Sequence, residues 1–216
     1  MIVERIKTLV VIGLGVTTLG TFGCSKQSVQ AESSTISQAD TPSVITPKIP
    51  RADVPYVPTA TEVVEQMLKM AKVSSNDIVY DLGSGDGRIP ITAVKQYNAK
   101  KATGVEINPD LVQKSQENAK EAGVSDRVNF LQQDLFKTDL SDATVVTLYL
   151  LPQVNLKLRP KLLQELKPGT RIVSHAFDMG DWTPERVEQV KDKNGRTYTI
   201  YQWTVPENVP ENLLSS

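Results

Sequence analysis

Asp77-Ile-Val-Tyr-Asp-Leu-Gly-Ser-Gly-Asp-Gly87 is the stretch on which the fold turns. Asp77–Leu82 reads as a short buried strand, the glycine cluster ends it, and Arg88 to Tyr97 continues at helical spacing. Pro90 fits such a helix only in its first turn, where a missing N–H costs nothing. Glycines let the backbone approach a ligand without a Cβ in the way, and the N–H groups that open the next helix favour a carboxylate or phosphate. The spacing is Gly-x-Gly-x-Gly, with Arg88 after Gly87, so the dinucleotide fingerprint Gly-x-Gly-x-x-Gly is not met. Asp81, ahead of the loop, would repel a pyrophosphate and favours a ligand that carries an ammonium.

Outward from this stretch, apolar runs alternate with amphipathic helices. Thr59 or Thr61 can cap a helix through about Lys72, with Val63, Val64, Met67, Leu68 and Ala71 on one stripe. Strands are predicted at Ala102–Ile107, Val128–Gln132, Thr144–Leu151 and Arg171–Phe177, and helices at Pro109–Ala122 and Asn155–Leu166. Such alternation implies right-handed crossovers onto a parallel sheet with helices on both faces. Val187–Lys191 and Thr197–Val205 flank Asn194-Gly195, a pair suited to a hairpin turn. The expected architecture is therefore α/β, a doubly wound, mostly parallel Rossmann-like sheet that ends in an antiparallel hairpin. Ligands of such sheets bind beyond the carboxyl ends of the strands, where the strand order reverses.

The folded domain is expected at residues 53–206, with 207–216 as a C-terminal tail. Ahead of it, Arg5 and Lys7 precede an uncharged stretch from Thr8 to Phe22, and Gly23-Cys24 closes it. That order fits a signal peptide or N-terminal anchor over residues 1–23, too short for a comfortable transmembrane helix. A cysteine directly after a small residue resembles a bacterial lipoprotein signal, although Thr21 and Phe22 depart from the usual pattern. A membrane-associated location, lipid-anchored or exported, is expected, and the cytoplasmic face stays open. Residues 24–52, rich in Ser, Thr, Gln and Pro, read as a disordered linker. With 24 Lys+Arg against 25 Asp+Glu and no basic run, the chain lacks the concentrated cations that nucleic-acid binding requires. A single Cys excludes an intramolecular disulfide and a cysteine zinc cage, and no metal site is expected. A monomer is expected.

Three acids follow three consecutive strands: Asp81, then Glu106 in Gly104-Val-Glu106, 25 residues on, then Asp134 in Gln133-Asp134-Leu135. With Val79-Tyr-Asp-Leu-Gly-Ser-Gly-Asp-Gly87 they resemble the motifs of class I S-adenosylmethionine-dependent methyltransferases. The resemblance implies that the glycine loop holds the methionine end of the cofactor, that Glu106 accepts bonds from the ribose hydroxyls, and that Asp134 meets the adenine amino group beside a backbone N–H. Asp81, Gly83, Ser84, Gly85, Glu106, Asp134 and Leu135 are the implied cofactor-binding residues. Tyr56-Val-Pro-Thr59, Val105-Glu-Ile-Asn-Pro109 and His175-Ala-Phe-Asp-Met-Gly-Asp-Trp-Thr-Pro184 resemble, more narrowly, the small lysine methyltransferases of mitochondrial membrane proteins and their bacterial relatives. Their likeness runs from about Val54 to Glu185, with Leu148-Tyr-Leu-Leu-Pro152 only loosely in pattern.

Methyl transfer from a sulfonium is an in-line displacement, so the protein must position a nucleophile, keep it deprotonated and exclude water. A lysine acceptor must shed a proton, helped by desolvation or by a carboxylate that captures the ammonium. Candidates after the fourth and fifth strands are Tyr149, His175, Asp178, Asp181 and Trp182, with Tyr56 and Phe177 able to offer aromatic faces to a cation. Each also has a plain reading: His175 and Tyr149 as packing, Trp182 as a cover for the sheet, the two aspartates as loop carboxylates. Leu150-Leu151-Pro152-Gln153 stands where amino-methylating DNA enzymes of the family carry Asp/Asn-Pro-Pro-aromatic, and cytosine-C5 chemistry needs a cysteine that the domain lacks. A protein lysine, or a small-molecule O or N acceptor, remains. From another class, a noncatalytic, membrane-tethered cofactor-binding module also fits.

Overall fold

The computed structural model of the 216-residue chain describes residues 55–215. The expectations for residues 1–23, for Cys24 and for the linker fall outside the described residues. Within them, eleven helices and strands follow one another: α1 (Thr61–Met70), β1 (Ile78–Leu82), α2 (Arg88–Lys95), β2 (Lys101–Glu106), α3 (Pro109–Ala122), β3 (Val128–Gln132), β4 (Val145–Leu148), α4 (Pro152–Glu165), β5 (Arg171–His175), β6 (Arg186–Lys191) and β7 (Thr197–Thr204). Short 3₁₀ turns lie at Leu135–Lys137 and Glu211–Leu213. One seven-stranded sheet runs in the order β3-β2-β1-β4-β5-β7-β6. The first five strands are parallel, whereas β7 pairs antiparallel with both β5 and β6. This is the class I methyltransferase arrangement, and the reversal of order between β1 and β4 opens the crevice where a ligand is expected.

The strands are apolar toward both faces because helices cover both. Val79, Val145 and Val173 face a core built with α1, α2 and α3, while Tyr80, Leu82, Val146, Leu148 and Ile172 face a second core with Leu158, Leu162 and Trp203. Asp77, buried at the opposite end of β1, accepts bonds from Ser74 and Thr144 and pairs with Arg171, so the sheet's lower rim is tied without bearing on the crevice.

Several boundaries differ from the sequence reading for local reasons. Neither Thr59 nor Thr61 caps α1; Ala60 does so without a side-chain bond, and Thr59 is engaged elsewhere. The helix stops at Met70 because Lys72 turns to φ +52°. β4 ends at Leu148 and α4 starts at Pro152, which sits in the first helical turn as its lacking N–H prefers. β5 ends at His175, since Ala176 adopts φ +68° and the Phe177 N–H folds back onto the His175 carbonyl. The domain also passes the boundary expected at residue 206. Leu213 is buried, and the guanidinium of Arg159 donates to the carbonyls of Leu213, Ser215 and Met179 at 3.0, 2.5 and 2.9 Å. Among the described residues no helix is long and apolar enough to cross a membrane, and no three His, Cys, Asp or Glu side chains could hold a metal ion.

Candidate active site

Each parallel strand delivers its last residue to the same edge of the sheet, and there a cavity of about 400 Å³ opens. Asp81, Gly83, Ser84, Gly85, Glu106, Asp134, Leu135 and Tyr149 all line it. Asp81 is 3% exposed, and one carboxylate oxygen accepts the Thr147 hydroxyl at 2.7 Å. Burial pushes its carboxyl up to about 7; Thr147 opposes the shift, and the charges of Glu106 and Asp86 reinforce it. Glu106, also buried, turns its two oxygens onto backbone N–H groups: Gly85 at 3.0 Å, and Ile107 and Asn108 at 2.9 Å. A carboxylate offers about four acceptor positions, so Glu106 keeps capacity for a ligand hydroxyl. Asp134 caps the 3₁₀ turn through the Phe136 N–H at 2.9 Å, which fixes the Leu135 backbone at the cavity wall.

The glycine loop is held close to β2, with the N–H groups of Gly83 and Ser84 donating to the Val105 carbonyl at 2.9 and 3.0 Å. Gly83 and Gly85 have φ of +80° and +54°, and a Cβ on Gly85 would stand 2.5 Å from the Tyr56 ring. Side chains there would therefore collide as well as strain the turn. The buried Ser84 hydroxyl has no partner among the described residues.

Residues 55–59, the strap ahead of α1, all line the cavity. Arg88 clasps it by donating to the Thr59 carbonyl at 2.7 Å while gripping Asp86 at 2.6 and 2.9 Å. Burial works against ionisation of Asp86, but the Arg88 contacts prevail and hold its carboxyl below the usual range. The cavity thus carries Asp81, Glu106 and Asp134 as acids that Arg88 does not neutralise. Such a lining suits a ligand with positive charge. S-adenosylmethionine, with a sulfonium and an ammonium, fits that charge, the glycine cradle and the orphaned Ser84 hydroxyl.

The remaining candidates divide. Tyr149, half-buried, lies on the cavity wall and stacks on His175 with ring centroids 3.8 Å apart. His175 is not itself on the wall: it is 1% exposed, and its Nδ1 is 3.2 Å from the Thr59 hydroxyl. Burial lowers its pKa to about 4, so the ring is neutral at ordinary pH and cannot serve as an exposed base. The structure does not bring Asp178 or Trp182 to the cavity. Exposed Asp178 caps the Gly180 N–H at 3.0 Å, and Trp182 is buried against Trp203, accepting its indole N–H at 2.7 Å through the backbone carbonyl. Asp181 is exposed and Phe177 half-buried, both away from the lining. The strained turn at Ala176 explains this parting, because it bends the chain away immediately after His175.

Sequence reasoning missed Asp86 and Arg88, whose two-residue spacing next to a glycine loop was the available signal. It also missed Phe136 and Lys157, which line the cavity with the Lys157 ammonium 4.5 Å from the Phe136 ring centre. The two stand on separate elements, the 3₁₀ turn and α4, and no local pattern connects them.

Comparison with known proteins agrees with this geometry. Residues 81–186 match the family model described as the ANTKMT methyltransferase domain. The chain is 51% identical over 155 residues to a protein-lysine N-methyltransferase of Saccharolobus islandicus, covering 72% of this chain and 96% of the relative. It is 39% identical over 137 residues to the adenine nucleotide translocase lysine N-methyltransferase of Mus musculus, where the match spans 63% of this chain but only 59% of the relative. Among solved structures, an RNA methyltransferase from Salinibacter ruber, crystallised with S-adenosyl-L-homocysteine, is 57% identical with a TM-score of 0.67, covering 73% of this chain and 99% of the other.

Proposed function

Since the chain belongs to the family of S-adenosylmethionine-dependent methyltransferases that includes these protein-lysine enzymes, we propose that it methylates the side-chain amine of lysine in a protein. The observation that carries this reading is the cavity edge itself, where Asp81, Glu106 and Asp134 meet the glycine cradle and leave an aromatic wall at Tyr149. When bound, S-adenosylmethionine supplies an electrophilic methyl and its own leaving group. Asp81 is suited to hold the cofactor ammonium, Glu106 the ribose hydroxyls, and Asp134 with the Leu135 backbone the adenine. Desolvation of an arriving amine against the apolar and aromatic part of the lining would favour its neutral form. With the cofactor bound, attack of the neutral lysine nitrogen on the methyl carbon would break the carbon–sulfur bond, release S-adenosyl-L-homocysteine and leave a methylated ammonium, whose proton would pass to solvent as the product departs.

The apolar stretch that ends at Gly23-Cys24 supports attachment near a membrane, and hence access to membrane-protein lysines. An RNA acceptor is the second reading, favoured by the 57% identity to the Salinibacter ruber RNA methyltransferase. Against it stand the net charge of −1 and the acidic cavity. The deciding experiment incubates the full chain and methyl-labelled cofactor with purified adenine nucleotide translocase, a membrane fraction, total RNA and a metabolite extract in parallel. Label on a protein lysine, located by mass spectrometry, is expected. Label in RNA or metabolite alone would overturn the proposal, and cofactor binding without any methylated product would identify a noncatalytic module.

A further inference from the structure

Asp81 near the end of β1, Glu106 at the end of β2 and Asp134 just past β3 occupy the half of the edge that runs outward from β1. On the other side of β1 comes β4, and just beyond its end Tyr149 faces the cavity. Its ring is stacked on His175 at 3.8 Å with an interplanar angle of 29°, and Tyr149 also lines the cavity, which His175 does not. His175 is boxed in: Tyr198 of β7 meets its edge at 5.1 Å, and Thr59 of the strap holds Nδ1 at 3.2 Å. A buried side chain this crowded has one place to sit, and the tyrosine stacked on it inherits that rigidity.

Resting on the lysine reading above, we propose that Tyr149 is the specificity-determining wall for the acceptor amine, and that His175 is a positioning residue that sets the Tyr149 ring and links it to Thr59. An aromatic face attracts an ammonium through its quadrupole yet forms no ion pair that would hold the proton on nitrogen. A carboxylate there would bind the charged form more tightly and raise its pKa. The same face accepts an amine that already bears methyl groups, since quaternary and partly methylated ammonium ions are good partners for aromatic rings. Thr59 makes the arrangement sensitive to the strap, because the residue whose carbonyl Arg88 clasps also carries the hydroxyl that contacts His175.

His175 is the single histidine of the chain, so labelling histidine gives one set of ring resonances. With S-adenosyl-L-homocysteine bound, titration of the full chain with butylammonium chloride should shift those resonances in the wild type and in Tyr149→Phe, but not in Tyr149→Leu. In steady-state assays on poly-L-lysine, Tyr149→Leu and His175→Ala should raise the acceptor KM roughly tenfold, the scale of a desolvated cation–aromatic contact. Tyr149→Phe and His175→Phe, which keep the rings, should restore most of it, and affinity for S-adenosyl-L-homocysteine should stay within about twofold throughout. No butylammonium shift in the wild type would overturn the proposal even if the leucine variant fails to fold. So would an acceptor KM unchanged by ring loss, or a loss of cofactor affinity equal to the KM effect. A wild type that methylates RNA but not poly-L-lysine would instead bring down the lysine reading, and this inference with it.

Discussion

The cavity's two walls are built from opposite materials. Around β1, β2 and β3 the wall is charged and its geometry is fixed by backbone: Glu106 takes three N–H groups, Asp134 takes one, and the glycine loop hangs from the Val105 carbonyl. Around β4 and β5 the wall is aromatic and its geometry is fixed by side-chain packing, with Tyr149 stacked on His175 and Tyr198 against the histidine's edge. The difference teaches a division of labour. Binding a cofactor of constant structure suits carboxylates locked by main chain, whereas an acceptor that changes from amine to methylated amine suits an aromatic face free of carboxylates, even with the Lys157 ammonium held on the Phe136 ring nearby.

Breaking the charged wall should have the largest consequence. Asp81→Ala removes the buried carboxylate and should weaken cofactor affinity by about 3 kcal/mol, read by calorimetry. Gly85→Ala must both strain a φ of +54° and push a methyl into the Tyr56 ring, so a loss of about 2 kcal/mol in stability or affinity is expected from thermal melts and calorimetry. Glu106→Ala should cost about 1–3 kcal/mol of cofactor affinity and also lower Tm, since three backbone donors lose their acceptor.

A subtler difference is pH. The folded Asp81 pKa of about 7 lies above the unfolded value of about 3.9, so below both values the group contributes nothing to the balance. As pH rises between them the unfolded chain ionises first, and the ligand-free fold loses stability until the folded carboxyl also ionises. Melts of wild type and Asp81→Asn should therefore diverge as pH rises from about 4 to about 7, with the wild type falling behind. Cofactor binding should run the other way and tighten across about pH 7, as the ionised carboxylate meets the ammonium. Asp178→Ala should change methyl transfer by less than about twofold, a substitution at an exposed loop carboxylate off the cavity.

The charged wall was legible in the sequence because its signals are local. An acid at the end of each of three strands and a glycine run after the first are visible as spacing, and the strand edge then brings Asp81, Glu106 and Asp134 together without further information. The aromatic wall was not legible in the same way. Tyr149 and His175 end different strands, and Thr59 stands 116 residues from His175, so their contact depends on the pairing of β4 with β5 and on the path of the strap. Asp178 and Trp182 shared the neighbourhood of His175 in sequence yet left the site in space, because one residue in the left-handed region, Ala176, redirects the chain. Such a turn needs no glycine and leaves no mark in composition. The end of the domain was misread for a related reason: residues 207–215 look like solvent-loving tail, but the partner that holds them, Arg159, lies on a distant helix.

That arginine's hold has an evolutionary consequence. Its three acceptors are main-chain oxygens of residues 179, 213 and 215, so the recognition is blind to which amino acids carry them. Drift in the identity of Leu214 or Ser215 should be tolerated, whereas loss of the backbone at residues 213 and 215 would leave the buried guanidinium with the Met179 carbonyl alone. At these positions the presence of the backbone matters more than the side chain, save at Leu213, whose side chain is itself buried.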